Sequence, residues 1–339
     1  MVVGIGLVLS APAFAQPIPD WTIEQLEEAI ARGELGKIRV ATAEQGGKIV
    51  YRKRFDDKPL GDPVDVKSAG KSITAIAVGM AIDDGFLEGV DQSVWPLLGS
   101  NRTDAASRIT IGDLLSMSSA LDCNDWERRS PGQEEKMYRR RHWREFALAL
   151  PLREADQHKT FSYCTAGVFL LGQVVQEATG ERFDKYVQRR LFDPLEINGV
   201  EWRRSRSGEV QSGGQLTISD DALVKIARLV MSGGQWEGHQ IVSDNWLRTM
   251  LEPHHRMGEH VHYASLWWLT PLRSPSGYLS AFMMKGNGGN IVAIIPAYDA
   301  VLVVQTENYN RRDAERHAFT VATTLLGGLE MPSGDEREE

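Results

Sequence analysis

Residues 71–85 constrain the fold more than any other stretch. Ile73, Ile76, Ala77, Met80 and Ala81 recur at helical spacing, and Ala75, Val78 and Gly79 make the other side apolar too. The pattern predicts a helix buried on most faces, ended by Gly85. Ser68 falls at or just before its first turn, and Lys71, three residues on, shares its face. A hydroxyl at the positive end of a buried helix, with an amine beside it, has the makings of an activated nucleophile. A lysine forced into a dry site loses part of its preference for the charged form and can then accept a proton. Two bland readings stand beside this one. A chain of this length contains roughly one S-x-x-K by chance, and a lysine near a helix start usually reaches for water. A phosphate-loop reading of Gly70-Lys71-Ser72 is excluded, because that loop needs a glycine five residues before Gly70 and Asp65 stands there.

The 339 residues suffice for one large domain or two interlocked ones. Net charge is −8 and there is no long basic run. The densest positive cluster, Arg139-Arg140-Arg141-His142, reads as a solvated helix face, so no nucleic-acid partner is expected. Val2 to Ala11 is small and apolar, and Ala13-Phe14-Ala15 before Gln16 fits an A-x-A cleavage site, although a basic n-region is missing. Residues 1–15 are therefore expected to be an export signal, with a periplasmic or secreted mature chain. The alternative is an apolar extension that stays on. No other stretch is long and apolar enough to span a membrane. Cys123 and Cys164 are the only cysteines. Export would permit a disulfide, and the sequence leaves open whether the two form a bridge or remain thiols.

Along the chain, residues 21–32 predict an amphipathic helix. Residues 37–44 and 48–55 predict a hairpin around Gln45-Gly46-Gly47. After the nucleophile helix come a short helix at 111–121, a polar loop at 122–131, a helical stretch at 142–150, and a strong helix at 166–179 ended by Gly180. Residues 201–214 read as loop, and Ser219 opens a helix over 220–231. The period then changes. Residues 263–270, 278–285, 290–295 and 300–306 read as strands, with a tight turn at Pro296-Ala297-Tyr298-Asp299, and a final helix covers 313–326. Strands thus open and close the chain around a helical middle. The economical architecture is α/β (α+β): an antiparallel sheet built from both ends, flanked by helices, with a helical subdomain inserted. The expected division is 16–64 and 225–330 for the sheet, 65–224 for the helical part, and an acidic disordered tail at 331–339.

Three segments together carry a resemblance. They are Ser68-Ala69-Gly70-Lys71, then Tyr163-Cys164-Thr165 opening a helix through Leu170-Leu171-Gly172, then Gly286-Asn287-Gly288-Gly289-Asn290 before Ile291-Val292-Ala293-Ile294-Ile295-Pro296. In this order they resemble the serine β-lactamase and penicillin-binding-protein superfamily, and within it the class C-like esterases, amidases and 6-aminohexanoate-dimer hydrolases. Supporting stretches are Leu114 to Ser119, Asp193-Pro194-Leu195, Gly213-Gly214 and Leu266-Trp267-Trp268. The resemblance implies a β-lactamase/transpeptidase-like fold with its site in a cleft between the two parts. It makes Ser68 the acylated nucleophile, Lys71 the lysine that helps deprotonate it, and Tyr163 the general base and then acid. A phenol ionises near pH 10, so Tyr163 needs a close cation, and Lys71 could be that cation. The backbone N–H groups of Ser68 and Asn290 would form the oxyanion hole. Thr165, Asn287, Gly288 and Gly289 would meet the substrate.

Two departures bear on substrate. Asn287 stands where β-lactamases and transpeptidases carry a lysine, and Thr165 stands where many members carry an asparagine. Both point to an esterase or amidase acting on a small molecule, without metal or organic cofactor. The rivals are a β-lactamase or D-alanyl-D-alanine peptidase, and a non-catalytic sensor or binding domain. His254, His255, His260 and His262 fit no familiar zinc spacing. Asp122, Asp125, Trp126 and Tyr138 lie in the irregular segment before Tyr163 and are candidates for shaping specificity.

Overall fold

The two ends of the chain build one sheet. In the computed structural model the described residues are 20–331, except 101, 103–104, 154–158 and 275–276. The expected export signal and the acidic tail beyond Met331 lie outside them. Strand β1 (Ile38–Gln45) turns through Gly46 and Gly47, at φ 57° and 79°, into β2 (Lys48–Arg54). The remaining strands of the sheet come from the far end: β3 (His255–Gly258), β4 (Val261–Tyr263), β5 (Trp268–Ser274), β6 (Gly277–Gly286), β7 (Asn290–Ile295) and β8 (Ala300–Thr306). The spatial order is β2-β1-β8-β7-β6-β5-β4-β3, with antiparallel pairing throughout. β1 pairs with β8, Ala41 lying opposite Val304 and Ala43 opposite Leu302. Parallel neighbours would need crossover connections, and a hairpin sheet does not.

The central strands are buried on both faces, and the period of two sorts their side chains. Ile291, Ala293 and Ile295 of β7 and Leu302 and Val304 of β8 pack toward helices α1 (Ile23–Ala31) and α6 (Ala314–Gly327). Val292, Ile294, Val301 and Val303 face the other way, into the core shared with the helical part. That part holds α2 (Lys71–Asp83) and α3 (Thr165–Thr179), the latter ended by Gly180 at φ 67°. Every residue of α2 from Lys71 to Ala81 is buried. α5 (Asp244–Leu251) closes over it through Trp246, whose indole donates to the Ala75 carbonyl at 3.1 Å. Gly79 makes that approach possible, since a β-carbon there would lie 2.0 Å from the indole ring.

α4 (Asp220–Met231) crosses the division expected at 224/225 and packs whole on β1, β7 and β8. Asp220, fully buried, fixes its start: it accepts from Thr42 Oγ1 at 2.7 Å and from Arg52 at 2.6 and 2.8 Å. Three segments depart from the sequence reading. The helix expected over 111–121 covers only Ile111–Leu115, with Met117 and Ala120 beyond it at φ 60° and 59°. Residues 263–270 are two strands, β4 and the start of β5, broken by a turn in which Leu266 has φ 60° and Ala264 N–H bonds Trp267 O. Ser72 of α2 holds that turn by donating to Leu266 O at 2.7 Å. Residues 201–214 are not all loop, because Glu201–Trp202 pairs with Leu216–Ile218, which pairs with Val64–Asp65. This small sheet leads straight into the residues before Ser68.

Candidate active site

The nucleophile candidate sits on a strained turn. Lys67–Gly70 forms one turn of 3-10 helix that runs directly into α2. Lys67 has φ 53°, a left-handed conformation rare for a residue with a side chain. It is held there from several sides. Gln215 N–H donates to its carbonyl at 3.0 Å, its own N–H donates to Asp65 Oδ1 at 2.9 Å, and its ammonium pairs with Asp65 at 2.6 Å and lies 4.3 Å from the Tyr309 ring centre. Gly214, at φ 118°, lets the neighbouring backbone close in, since a β-carbon there would stand 2.8 Å from Lys67 O.

Lys71 is 1% exposed. Its Nζ donates to Ser68 Oγ at 3.0 Å and to the Gly213 carbonyl at 2.6 Å. The same Nζ lies 5.1 Å from the centre of the Tyr163 ring. The structure thus brings Ser68, Lys71 and Tyr163 together. Tyr163 lies just before α3, stacked on Trp126 (5.3 Å between centres, 8° between planes) and edge-on to Tyr263 at 6.4 Å. Cys164 and Cys123 form a disulfide with Cα atoms 5.3 Å apart. The bridge ties the tyrosine to the segment 122–134.

That segment supplies two carboxylates. Asp125 N–H donates to Tyr163 O at 2.8 Å, and its carboxylate accepts from Thr165 N at 2.7 Å and Glu134 N at 2.9 Å. Burial, followed by the charge of Glu134, pushes the Asp125 carboxyl up to about 6, against the opposing pull of Lys71 and Thr165. Glu134 accepts from Tyr138 Oη at 2.9 Å and from Thr165 Oγ1 at 3.3 Å. Burial and the Glu134 charge push the Tyr138 phenol well above its ordinary range.

A cleft of about 550 Å³ opens over these groups. Ser68, Tyr163, Asp125, Trp126 and Glu134 line it on the helical side, and Trp268, Lys285 and residues 286–290 on the sheet side. A larger cavity of about 800 Å³ lies at the other end of α6, against Thr323, Thr324 and Gly327, and contains none of the Ser68, Lys71 and Tyr163 set.

The remaining site candidates are arranged differently from one another. Asn287, Gly288 and Gly289 are the turn between β6 and β7, with φ 89° at Gly288 and 83° at Gly289. Asn287 braces that turn: its Nδ2 donates to Asn310 Oδ1 and its Oδ1 accepts from Asn310 N, both at 2.8 Å. Asn290 borders the cleft but is 1% exposed, and its side chain bonds Thr306 N and Asn287 O, each at 3.0 Å. The Gly286 backbone lies against the Ser68 turn, since a β-carbon there would stand 2.0 Å from Val66 O and 3.0 Å from Ala69 N. Thr165 is fully buried and spends its hydroxyl on Glu134. His254 bonds Ser265 Oγ at 3.1 Å.

Sequence reasoning missed Glu134 and Lys285, and gave Gly286 no role beyond opening the third segment. Glu134 sits in Gln133-Glu134-Glu135-Lys136, which has the composition of a solvated helix face. Lys285 is the last side chain before the Gly286 step. It pairs with Glu315 at 2.5 Å and lies 4.7 Å from the Trp268 ring centre.

An antiparallel sheet with terminal helices on one face, and a Ser-x-x-Lys turn meeting a tyrosine across a cleft, defines the β-lactamase/transpeptidase type of serine hydrolase. The chain belongs to the beta-lactamase family, whose profile matches residues 40–325. It is 24% identical over 218 residues to the 6-aminohexanoate-dimer hydrolase of Paenarthrobacter ureafaciens, a match covering 59% of this chain and 53% of that one. It thus spans about half the length of that relative. Among solved structures it resembles EstCE1, a hydrolase with promiscuous acyltransferase activity (TM-score 0.72, 16% identity, 89% of this chain and 96% of that one). It also resembles the penicillin binding protein from Bacillus halodurans (TM-score 0.68, 19% identity, 86% and 97%). The α/β architecture expected from the sequence is the one observed.

Proposed function

We propose that the chain cleaves an ester or amide bond of a small molecule through an acyl-enzyme on Ser68. The observation that carries this reading is the 3.0 Å contact between Lys71 Nζ and Ser68 Oγ, with the Tyr163 ring 5.1 Å from the same Nζ. Tyr163, with the Lys71 cation beside it, takes the hydroxyl proton as Ser68 Oγ attacks the carbonyl carbon, and then returns that proton to the leaving group. Water then attacks the acyl carbon and releases Ser68. The oxyanion is held by backbone N–H groups. Ser68 N–H is one of them. The second is assigned to the Gly286–Asn287 step rather than to Asn290, a choice supported by the Gly286 backbone lying against Val66 and Ala69 and by the burial of Asn290.

An amide substrate of the 6-aminohexanoate-dimer type fits the Paenarthrobacter ureafaciens relative, and the engagement of Asn287 with Asn310 speaks against a β-lactam carboxylate being held at that position. The disulfide and the Ala13-Phe14-Ala15 site support an exported, periplasmic or secreted enzyme. The test is a panel of p-nitrophenyl esters, short linear amides and nitrocefin, with Ser68→Ala as control. Turnover of esters or amides that disappears in the control is the expected result. Nitrocefin turnover above that of every ester and amide would replace this reading with a β-lactamase, and no Ser68-dependent turnover would favour a binding domain.

A further inference from the structure

The Ser68, Lys71 and Tyr163 chemistry leaves the buried Asp125 carboxyl in the cleft unused. Asp125 grips both flanks of the tyrosine, its N–H on Tyr163 O and its carboxylate on Thr165 N. Its charge and that of the buried Lys71 also act on each other. Among the described residues Lys71 makes no ion pair. Its two hydrogen-bond partners, Ser68 Oγ and Gly213 O, are both neutral. A buried cation without a contact ion pair depends on longer-range countercharge.

We propose that Asp125, backed by Glu134, is a positioning residue that holds Tyr163 in place and supplies the countercharge for Lys71, so that the site loses activity when Asp125 takes up a proton. The idea rests on the Ser68 reading and extends it to regulation by acid. The charged or titratable groups around Asp125 are Lys71 from α2, Glu134 and Tyr138 from the helix Glu134–Tyr138, and Tyr163 from the segment before α3. Arg203 stands behind Tyr138, with its guanidinium 4.5 Å from the ring centre. Burial and then the Glu134 charge disfavour the Asp125 carboxylate while Lys71 favours it, which places the switch in mildly acidic solution. Protonation adds one proton from solvent to the Asp125 carboxylate. It removes the countercharge and weakens the carboxylate's grip on the Thr165 and Glu134 N–H groups.

The test is the rate at which a fluorophosphonate labels Ser68, followed by intact mass between about pH 4 and 8. The comparison is of the wild type with Glu134→Gln and Asp125→Asn. In the wild type the rate should fall in acid with a midpoint near that of Asp125. Glu134→Gln removes the repelling charge and should move the midpoint to lower pH by about half a unit or more. Asp125→Asn should lose that limb altogether and label more slowly at neutral pH. A purely structural role would lower the rates and leave the midpoint in place. Unchanged midpoints in both variants would overturn the proposal. Absence of labelling in the wild type would instead count against Ser68 as nucleophile, so the two failures are distinct.

Discussion

Gly286 lies so close to Val66 that a β-carbon at 286 would stand 2.0 Å from the Val66 carbonyl oxygen and 3.0 Å from the Ala69 nitrogen. Both neighbours are backbone atoms of the segment that carries Ser68, so neither can swing aside. Gly286→Ala should push β6 off the nucleophile turn. The expected cost is about 1–3 kcal/mol of stability and at least roughly a tenfold loss of Ser68 labelling, since small displacements of a catalytic group are costly. Gly327→Ala is the control, because nothing lies within 4 Å of a β-carbon there. It should change stability by less than about 0.5 kcal/mol. Equal behaviour of the two variants in thermal melts and labelling would contradict this picture.

Tyr163→Phe keeps the ring that stacks on Trp126 and removes only the hydroxyl. Turnover should fall by ~10²–10⁴ if the phenol moves the proton, while the melting temperature stays close to that of the wild type. Wild-type turnover in this variant would remove Tyr163 from the mechanism.

The Cys123–Cys164 bridge closes a loop with a sequence separation of 41. Chain entropy alone assigns it about 4 kcal/mol. Cys123→Ser with Cys164→Ser should lower denaturant stability by an amount of that order. It should also reduce labelling of Ser68, because the bridge joins Tyr163 to the Asp125 segment. Urea unfolding monitored by circular dichroism, with and without reductant, checks the first part.

Asp125 has a folded-state pKa of about 6, above the ordinary value of 3.8. Folding therefore favours its protonated form. Its contribution to stability is present below about pH 4 and is lost as pH rises through about 6. Asp125→Asn escapes that loss. The stability of Asp125→Asn relative to the wild type should rise between about pH 4 and 7, by about 1–3 kcal/mol. A difference that stays flat across this range would refute the assignment.

Much of the fold was legible because local chemistry and global topology agree. Gly46 and Gly47 announce the first hairpin, and the apolar runs of β7 and β8 announce strands buried on both faces. Gly180 stops α3, and Ser219 opens α4 by accepting from Ala222 N at 3.2 Å. The failures have physical causes. Trp267 and Trp268 look like consecutive strand residues, but a fully buried Trp267 and the Ser72 bond to Leu266 O break the run. Two-residue strands such as Glu201–Trp202 and Val64–Asp65 are too short to show a period. In the site, the Ser68 and Lys71 spacing and the tyrosine were visible as sequence patterns. The partnership of Asp125 with Glu134 was not, because it depends on how a polar loop folds back over α3. The third segment was read as Gly286–Asn290 with the site roles on its last four residues, yet Gly286 is the glycine packed on the Val66 and Ala69 backbone, and no local pattern distinguishes it from Gly288 or Gly289.

The most direct test is peptide mapping of the mature protein after reaction with a fluorophosphonate. The account expects one adduct, on Ser68, absent from Ser68→Ala and formed more slowly in Lys71→Ala. An adduct on another serine, or no adduct on a folded protein that nonetheless hydrolyses esters, would contradict it.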